Sequence, residues 1–228
     1  MRVYHYLEAK WALDDLRRRR LKVSKIDDMN DPYECRSVCS DPADAQVALD
    51  KTAAELARRF GSLCFSRSWK SVLMWSHYAE KHKGMCLGFD VSDEVARPIE
   101  YVPAPQNVEN LMHAADEEFD SKRGLTVVEL MLGAKYDGWS YEQEVREHVR
   151  LDERDEETGQ YFIDFSELLV LKEVIAGARF PFTQGVIEQS LSGSDRDAGV
   201  RIWKVRPSPN SFEMIADENG FAFAAGQG

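Results

Sequence analysis

The chain has 228 residues, with 29 lysine and arginine residues against 40 aspartate and glutamate residues, so its formal net charge is −11. This length suits one domain, or one domain with a small appendage. Nonspecific nucleic-acid binding needs a basic surface, which so acidic a chain does not supply, although a local basic pocket for a nucleotide stays open. No stretch of about 18 apolar residues and no export signal stands out. We therefore expect a cytoplasmic protein with reduced cysteines and no membrane partner.

The first half of the chain predicts alternating strands and helices. Asp41 and Pro42 suit the start of one helix and Gly61 its end, and Ser71 and Gly84 delimit another helix in the same way. The predicted elements are a strand at 2–6, a helix at 8–19, an extended piece at 21–24, a turn at Asn30-Asp31-Pro32, helices at 41–61 and 71–84, and strands at 62–67 and 85–90.

The second half predicts a helical insertion followed mainly by strands. Residues 103–136 are long, acidic and mostly helical in pattern, whereas 141–151 alternates as a strand does. An acidic segment with Thr158-Gly159 predicts a hairpin between this strand and the next. The remaining predicted elements are strands at 161–165, 168–176, 200–205 and 212–215 and a helix at 182–191.

This order of elements predicts an α+β fold with a mostly antiparallel sheet and flanking helices. Residues 1–219 are expected to form a single domain that contains the insertion near 103–136. Residues 220–228 are expected to form a loose tail. Neither a GxGxxG nor a GxxxxGK[ST] motif is present, so the two common phosphate-binding loops are not indicated.

Two carboxylates are the strongest sign of chemistry. Glu142 and Glu144 fall on one face of the predicted strand, roughly 6–7 Å apart from the rise of a strand. Arg146 and His148 continue the same face. Carboxylates this close can polarise a hydroxyl group or share a proton, but the same pattern is typical of a solvated strand face with ion pairs across strands. Both interpretations stay open.

A helical stripe and one histidine carry a similar ambiguity. Trp75, Tyr78, Ala79 and His82 recur at helical spacing, which is typical of a core but also fits the edge of a pocket, since buried Tyr and Trp need hydrogen-bond partners. His5 alternates with apolar neighbours and suits a core histidine. The cysteines do not complete a zinc ligand set, so no metal is expected.

Several motifs together resemble one bacterial family, the domain of unknown function numbered 2971. The resemblance extends from the first strand to about Gly177 and implies no activity by itself. The motifs are Tyr4-His5-Tyr6, Asn30-Asp31-Pro32-Tyr33-Glu34, Cys64-Phe65-Ser66, Met74-Trp75-Ser76-His77-Tyr78-Ala79 with His82-Lys83-Gly84, Gly88-Phe89-Asp90, and Trp139-x-Tyr141-Glu142-x-Glu144-x-Arg146.

A weaker resemblance points to the ADP-ribosyltransferase fold and implies a split sheet of that type. Enzymes with this fold cleave NAD at the nicotinamide ribosyl bond. The shared order is a first-strand histidine, a serine on a central strand and Glu-x-Glu on a late strand. The resemblance implies that His5 holds the ribose and that Ser66 supports the nicotinamide side. Glu144 is then the catalytic acid, with Glu142 as its companion. The other residues that it implies for the NAD site are Tyr78, Trp75 and Arg146.

Three functions follow as hypotheses. The first is an ADP-ribosyltransferase-like enzyme, or an NAD hydrolase, which uses NAD as substrate and an unidentified macromolecule as acceptor. The second is a non-catalytic module that binds a small-molecule nucleotide. The third is a metal-dependent nuclease or nucleotide hydrolase that uses Glu142, Glu144 and His148 or Asp90. A toxin or defence role is one setting that the bacterial resemblance allows.

Overall fold

The computed structural model describes residues 1–93, 96–110, 123–193, 195 and 198–221. The chain divides into two compact units. Unit 1 comprises Met1–Leu21, Phe65–Asp93 and Ile163–Gly228, and unit 2 comprises Lys22–Cys64 and Glu94–Phe162. The single domain at 1–219 stays a prediction. Residues 111–122 of the predicted insertion and 222–228 of the predicted tail lie outside the described residues.

Helices and strands alternate along the chain. The helices are α1 (Ala9–Arg18), α2 (Ala43–Arg59), α3 (Val72–Tyr78), α4 (Arg123–Gly133) and α5 (Gln184–Ser190), with 3₁₀ turns at Ile26–Asp28 and Asp137–Glu142. The strands are β1 (Arg2–Leu7), β2 (Arg20–Lys22), β3 (Ser24–Lys25), β4 (Val38–Cys39), β5 (Phe60–Ser66), β6 (Met85–Val91), β7 (Arg97–Pro98), β8 (Glu100–Val102), β9 (Gln106–Asn107), β10 (Ala134–Tyr136), β11 (Glu144–Arg150), β12 (Phe162–Asp164), β13 (Leu169–Ala176), β14 (Arg201–Pro207) and β15 (Met214–Ala216).

Unit 1 is built on a mixed sheet. Its strands follow the order β15-β14-β13-β6-β1, and Ser66 of β5 pairs with Tyr4 of β1. Strands β6 and β13 are antiparallel, whereas β13 and β14 are parallel. The parallel pair arises because the connection that contains α5 returns the chain to the same end of the sheet before β14 begins. The α+β class is therefore confirmed, and the mostly antiparallel sheet is corrected to a mixed one.

Unit 2 holds the other part of β5, together with β11 and β7, in the order β5-β11-β7. Two small parallel pairs, β8 with β10 and β4 with β9, lie in the same unit. Helix α2 packs its apolar side against the segment before it and against Met131 of α4. The buried cluster that joins them consists of Ile26, Cys35, Val38, Ala53, Leu56, Ala57 and Met131.

Two helix ends differ from the prediction. Gly61 does not end α2 but lies inside β5, and α2 stops at Arg59. Helix α3 begins as predicted, because the Ser71 hydroxyl accepts a hydrogen bond from the Met74 amide. It ends at Tyr78 rather than near Gly84, since the residues at 80–82 all have positive φ, which an α-helix does not permit.

The strand predicted at 141–151 is also shorter. Residues Asp137–Glu142 form the 3₁₀ turn, Gln143 is left-handed with φ 47°, and β11 begins only at Glu144. Glu142 therefore does not share a strand face with Glu144. The predicted hairpin is wrong as well, because β12 pairs with β2 while β11 lies between β5 and β7. In the described part of the chain, every helix is too short or too polar to span a bilayer.

Candidate functional site

Five charged side chains form a buried network in unit 2. Glu34 follows the turn at Asn30-Asp31-Pro32, and Lys135 lies on β10. Glu142 ends the 3₁₀ turn, and Glu144 and Arg146 lie on β11. All five residues are only 3–9% exposed. Charged groups are rarely this buried unless they are paired.

Arg146 lies at the centre of the network. Its Nη1 and Nη2 atoms donate to the two carboxylate oxygens of Glu34 at 2.7 and 2.6 Å. Its Nε atom donates to Glu144 Oε1 at 2.7 Å, and Nη2 also donates to Glu144 Oε2 at 3.1 Å. Such two-pronged contacts are the strongest ion pairs that a guanidinium group makes.

Lys135 joins the remaining carboxylate to this centre. Its Nζ atom donates to Glu142 Oε2 at 2.5 Å and to Glu144 Oε2 at 3.1 Å, and it lies 3.7 Å from Glu34 Oε1. The same Nζ lies over the ring of Trp139, 5.1 Å from the centroid. The lysine thus brings Glu142 and Glu144 together, although the two do not share a strand face.

Glu144, Arg146 and Lys135 stabilise one another in their charged forms. Burial alone raises the pKa of Glu144, but the charges and hydrogen bonds of Arg146 and Lys135 outweigh burial and hold it below its usual value. Burial alone lowers the pKa of Arg146 and of Lys135, and the surrounding carboxylates reverse that effect and raise both. The network contains three carboxyl side chains and two cationic ones.

An open cavity of about 340 Å³ adjoins this network in unit 2. Arg36, Ser37 and the segment 102–105 line it together with Lys135, Tyr33 and Tyr136. Tyr33 and Tyr136 are 62% and 54% exposed, unusually open for large aromatic residues. The Ser37 hydroxyl donates to the Leu130 carbonyl, so its proton is already used. The cavity is mostly apolar, with a few polar groups at its edge.

Cys35, Cys64 and Cys86 are not activated for catalysis. Burial raises the pKa of Cys35 to about 12 and also raises the pKa of Cys64 and Cys86. A thiol reacts as its thiolate, which these values suppress at neutral pH. Among the residues that the structure describes, no group of three or more His, Cys, Asp or Glu residues is arranged to hold a metal ion.

Four predicted site residues lie in unit 1. Trp75 is fully buried, donates from Nε1 to the Trp69 carbonyl at 2.7 Å and packs edge-on against Tyr6. Ser66 is buried, and its hydroxyl accepts from the Ser68 amide at 3.2 Å. Both have the contacts of core residues.

Of the other two predicted residues of unit 1, His5 is buried and Tyr78 is half-buried. The His5 ring packs edge-on against Phe65, with 5.6 Å between the centroids. Tyr78 is half-buried beside the ring of His77. Glu142, Glu144 and Arg146, in contrast, are assembled in unit 2. The NAD site that combines all seven residues stays a prediction.

The residues that complete the network and line the cavity have no role predicted from the sequence. Tyr33 and Glu34 belong to the motif Asn30-Asp31-Pro32-Tyr33-Glu34, which by itself indicates only a turn. Lys135 and Tyr136 form an ordinary pair at the end of a helical segment and carry no pattern that predicts their position. Arg36 likewise has no distinguishing neighbour.

Comparison with known proteins gives one match. Residues 74–147 match the model of a family described as "Protein of unknown function (DUF2971)". The resemblance to DUF2971 is confirmed. The DUF2971 match extends from α3 into β11 and includes Lys135, Glu142, Glu144 and Arg146, whereas Glu34 precedes it. No curated protein and no solved structure matches the chain, and the second resemblance, to ADP-ribosyltransferases, gains no support.

His148, two residues beyond Arg146, makes stability sensitive to pH. Burial and the Arg146 charge lower the pKa of His148 to about 4, and its Nδ1 atom lies 2.9 Å from the Ser62 hydroxyl. Between about pH 6.5 and 4 the unfolded chain therefore binds a proton that the folded chain does not. We expect stability to fall by about 2–3 kcal/mol as the pH drops through this window.

Urea unfolding of the wild type and of His148→Gln at pH 7 and pH 4.5 measures this contribution. The variant should lose less stability than the wild type between the two pH values, because glutamine does not titrate. Glu144 adds a further loss only below its unfolded pKa of about 4.5, so it affects both proteins alike. Equal losses in the two proteins would contradict the assignment to His148.

Proposed function

We propose that the cavity of unit 2 binds a nucleotide without transforming it. The observation that carries this proposal is the pair of exposed tyrosines, Tyr33 and Tyr136, on a mostly apolar cavity that Arg36 also lines. A planar base matches the aromatic and apolar part of such a cavity, and a phosphate matches the guanidinium group.

The apolar part of the cavity favours a ring. The segment Val102–Pro105 supplies two prolines, one valine and one alanine, none of which offers a side-chain hydrogen bond. Among the described residues, the hydroxyls of Tyr33 and Tyr136 have no hydrogen-bond partner, so both are available to a ligand. Aromatic rings that stack on a base contribute affinity with little dependence on which base it is.

The charged part favours a single phosphate contact from Arg36. Arg36 is 54% exposed and meets Asp50 at 3.4 Å, a long and solvent-screened ion pair. Lys135 is different, because three carboxylates already surround its ammonium group. We assign Lys135 to the wall of the cavity, where the buried network holds it in place, and Arg36 to the phosphate.

Calorimetric titration with AMP, and with adenosine as the ligand that lacks the phosphate, tests the proposal. Arg36→Ala should weaken AMP binding about tenfold and leave adenosine binding unchanged, since an exposed charge-assisted contact contributes about 1.5 kcal/mol. Arg58→Ala is the matched control, because Arg58 also pairs with an acid of α2. If neither AMP nor adenosine binds the wild type, the nucleotide function is wrong.

The aromatic contact is tested in the same titration. Tyr33→Ala should weaken the binding of AMP and adenosine equally, whereas Tyr33→Phe should retain most of the affinity. If Tyr33→Ala binds adenosine as tightly as the wild type does and loses only its preference for AMP over adenosine, the assignment of the base to the tyrosines is wrong.

NAD chemistry is the second candidate function, and one observation favours it. The carboxylate of Glu144 is held ionised, as the stabilisation of a positively charged ribosyl transition state requires. In the described structure its charge is shared with Arg146 and Lys135, so an NAD ribose would have to displace these contacts. An acceptor macromolecule would complete a transferase. The metal-dependent hydrolase gains no comparable observation, since Asp90 pairs with Arg2 in unit 1.

Replacing AMP by NAD in the same experiment separates the two candidates. The binding module predicts that NAD is retained intact over hours, and the enzyme predicts free nicotinamide that disappears in Glu144→Gln. Glu147→Gln is the control, because Glu147 lies on β11 outside the network. If the wild type and Glu147→Gln release nicotinamide and Glu144→Gln does not, the protein is an NAD-cleaving enzyme and the proposal of a non-catalytic binding module is wrong.

A further inference from the structure

Three consecutive residues after α3 adopt a left-handed backbone. Glu80, Lys81 and His82 have φ angles of 49°, 54° and 70°. Single left-handed residues other than glycine are uncommon, and side chains with a Cβ atom make each of them unfavourable. Such strain persists only where the surrounding structure imposes it, and it concentrates at functional sites.

The surrounding backbone of unit 1 imposes this turn from both sides. The His82 amide donates to the Trp75 carbonyl at 3.0 Å, and the His82 carbonyl accepts from the Arg179 amide at 2.9 Å. Gly84 and Gly177 permit the close approach: a Cβ atom on Gly84 would lie 2.1 Å from the Leu7 carbonyl oxygen, and one on Gly177 would lie 2.2 Å from that of His82. The turn is therefore fixed relative to the segment that carries Arg179.

The side chains on this fixed frame are basic and have no partners in the described part of the chain. Lys81, Lys83 and Arg179 are exposed and His82 is half-buried, and none of the four makes a side-chain hydrogen bond or salt bridge to a described residue. Burial and the Arg179 charge both lower the pKa of His82, so imidazole and guanidinium are near neighbours. Glu80 is the one acid within the turn.

These cations lie on a fixed backbone frame and have no anionic partner among the described residues, in a chain with a net charge of −11. A bound anion would relieve their mutual repulsion. Phosphate suits the arrangement, because a guanidinium fork, two ammonium groups and an imidazole N–H all donate to its oxygens.

We propose that the turn Glu80–His82, together with Lys83 and Arg179, forms a binding site for the phosphate group of a small phosphorylated molecule. The site lies in unit 1 and uses no residue of the cavity proposed for the nucleotide. Arg179 binds the phosphate oxygens as a fork, and His82 donates an imidazole N–H to the same group. The strained backbone keeps the imidazole and the guanidinium directed at one ligand.

Titration with inorganic phosphate, with sodium chloride adjusted to hold the ionic strength constant, tests the site. The ring signals of His82 in the NMR spectrum, assigned through His82→Gln, should shift and saturate in the wild type. In Arg179→Ala, the phosphate concentration that gives half-saturation should rise at least tenfold. Arg17→Ala, which removes an exposed cation from α1 of the same unit, should leave it unchanged. Thermal unfolding verifies that both variants fold.

Three further variants make the outcome decisive. In Arg36→Ala, which removes the phosphate contact proposed for the nucleotide cavity, the saturable shift of the His82 ring signals should persist, so the two sites can fail or succeed independently. Lys81→Gly and Lys81→Ala lose the same charge, but glycine relaxes the strained turn, and we expect it to bind more weakly than alanine. The site is wrong if His82 shows no saturable shift, or if Arg17→Ala weakens binding as much as Arg179→Ala does.

Discussion

Replacing Arg146 by methionine should lower the free energy of unfolding by about 3–5 kcal/mol. The guanidinium group compensates for Glu34 and Glu144 at the same time, and both carboxylates are buried. Methionine has a similar length but no charge, so the variant leaves two carboxylates without their partner in a low-dielectric environment. Lys135 alone cannot neutralise three acids. The cost of uncompensated buried charge therefore exceeds the modest net value of an intact pair.

Urea unfolding monitored by circular dichroism at pH 7 measures this cost. Arg150→Met is the matched control, because Arg150 lies on the same strand but is exposed and pairs with the exposed Asp152. That variant should change stability by less than about 1 kcal/mol. Arg146→Lys retains the positive charge but not the two-pronged guanidinium contact, so its loss of stability should lie between those of Arg146→Met and Arg150→Met. Equal stability of Arg146→Met and Arg150→Met would show that the network does not carry the folding energy assigned to it.

Replacing Trp75 by alanine should cost about 3–5 kcal/mol of stability. The indole is fully buried, contacts Tyr6 and donates a hydrogen bond to the Trp69 carbonyl. Truncation leaves a large cavity in the core of unit 1 and removes the partner of that carbonyl. The prediction opposes the role suggested for Trp75 by the ADP-ribosyltransferase resemblance, in which it would line the nicotinamide pocket and its loss would affect binding more than folding.

The comparison of Trp75→Ala with Trp11→Ala separates these roles. Trp11 is 52% exposed on α1, so its removal should change the free energy of unfolding only slightly. Trp75→Phe keeps an aromatic ring in the core but loses the N–H donor, and it should lower the free energy of unfolding by about 1–3 kcal/mol. A Trp75→Ala protein with wild-type stability and impaired nucleotide binding would place Trp75 in a binding site instead of the core.

The parts of the fold that could be predicted are those with a local cause. The Ser71 cap is confirmed because a hydroxyl at that position meets an unpaired helix amide whatever surrounds it. The turn near Asp31 is confirmed for the same reason, since its carboxylate accepts from the Tyr33 amide. The end of α3 could not be predicted, because Glu80 and Lys81 are ordinary helix formers whose left-handed backbone depends on distant segments.

The candidate site divides in the same way. Glu144 and Arg146 could be identified from alternation along one strand, which is a local pattern. Their partners could not, because Glu34 is 112 residues from Arg146 and only the fold brings them together. Whether the face was solvated or enclosed was also a property of the fold. Enclosure turned two carboxylates that suggested catalysis into members of a paired network.

At Gln143, where the 3₁₀ turn meets β11, the number of residues matters more for the fold than their identity. The residue is left-handed and separates Glu142, which ends the 3₁₀ turn, from Glu144, which opens β11. At the start of β11 both sides of the strand are buried, with Val145 on one and Arg146 on the other. Deletion or insertion of one residue here would exchange the two sides of the strand, turning valine toward the carboxylates and arginine toward the apolar packing. Natural variants of this chain should therefore differ by substitution near residue 143 and avoid gaps there.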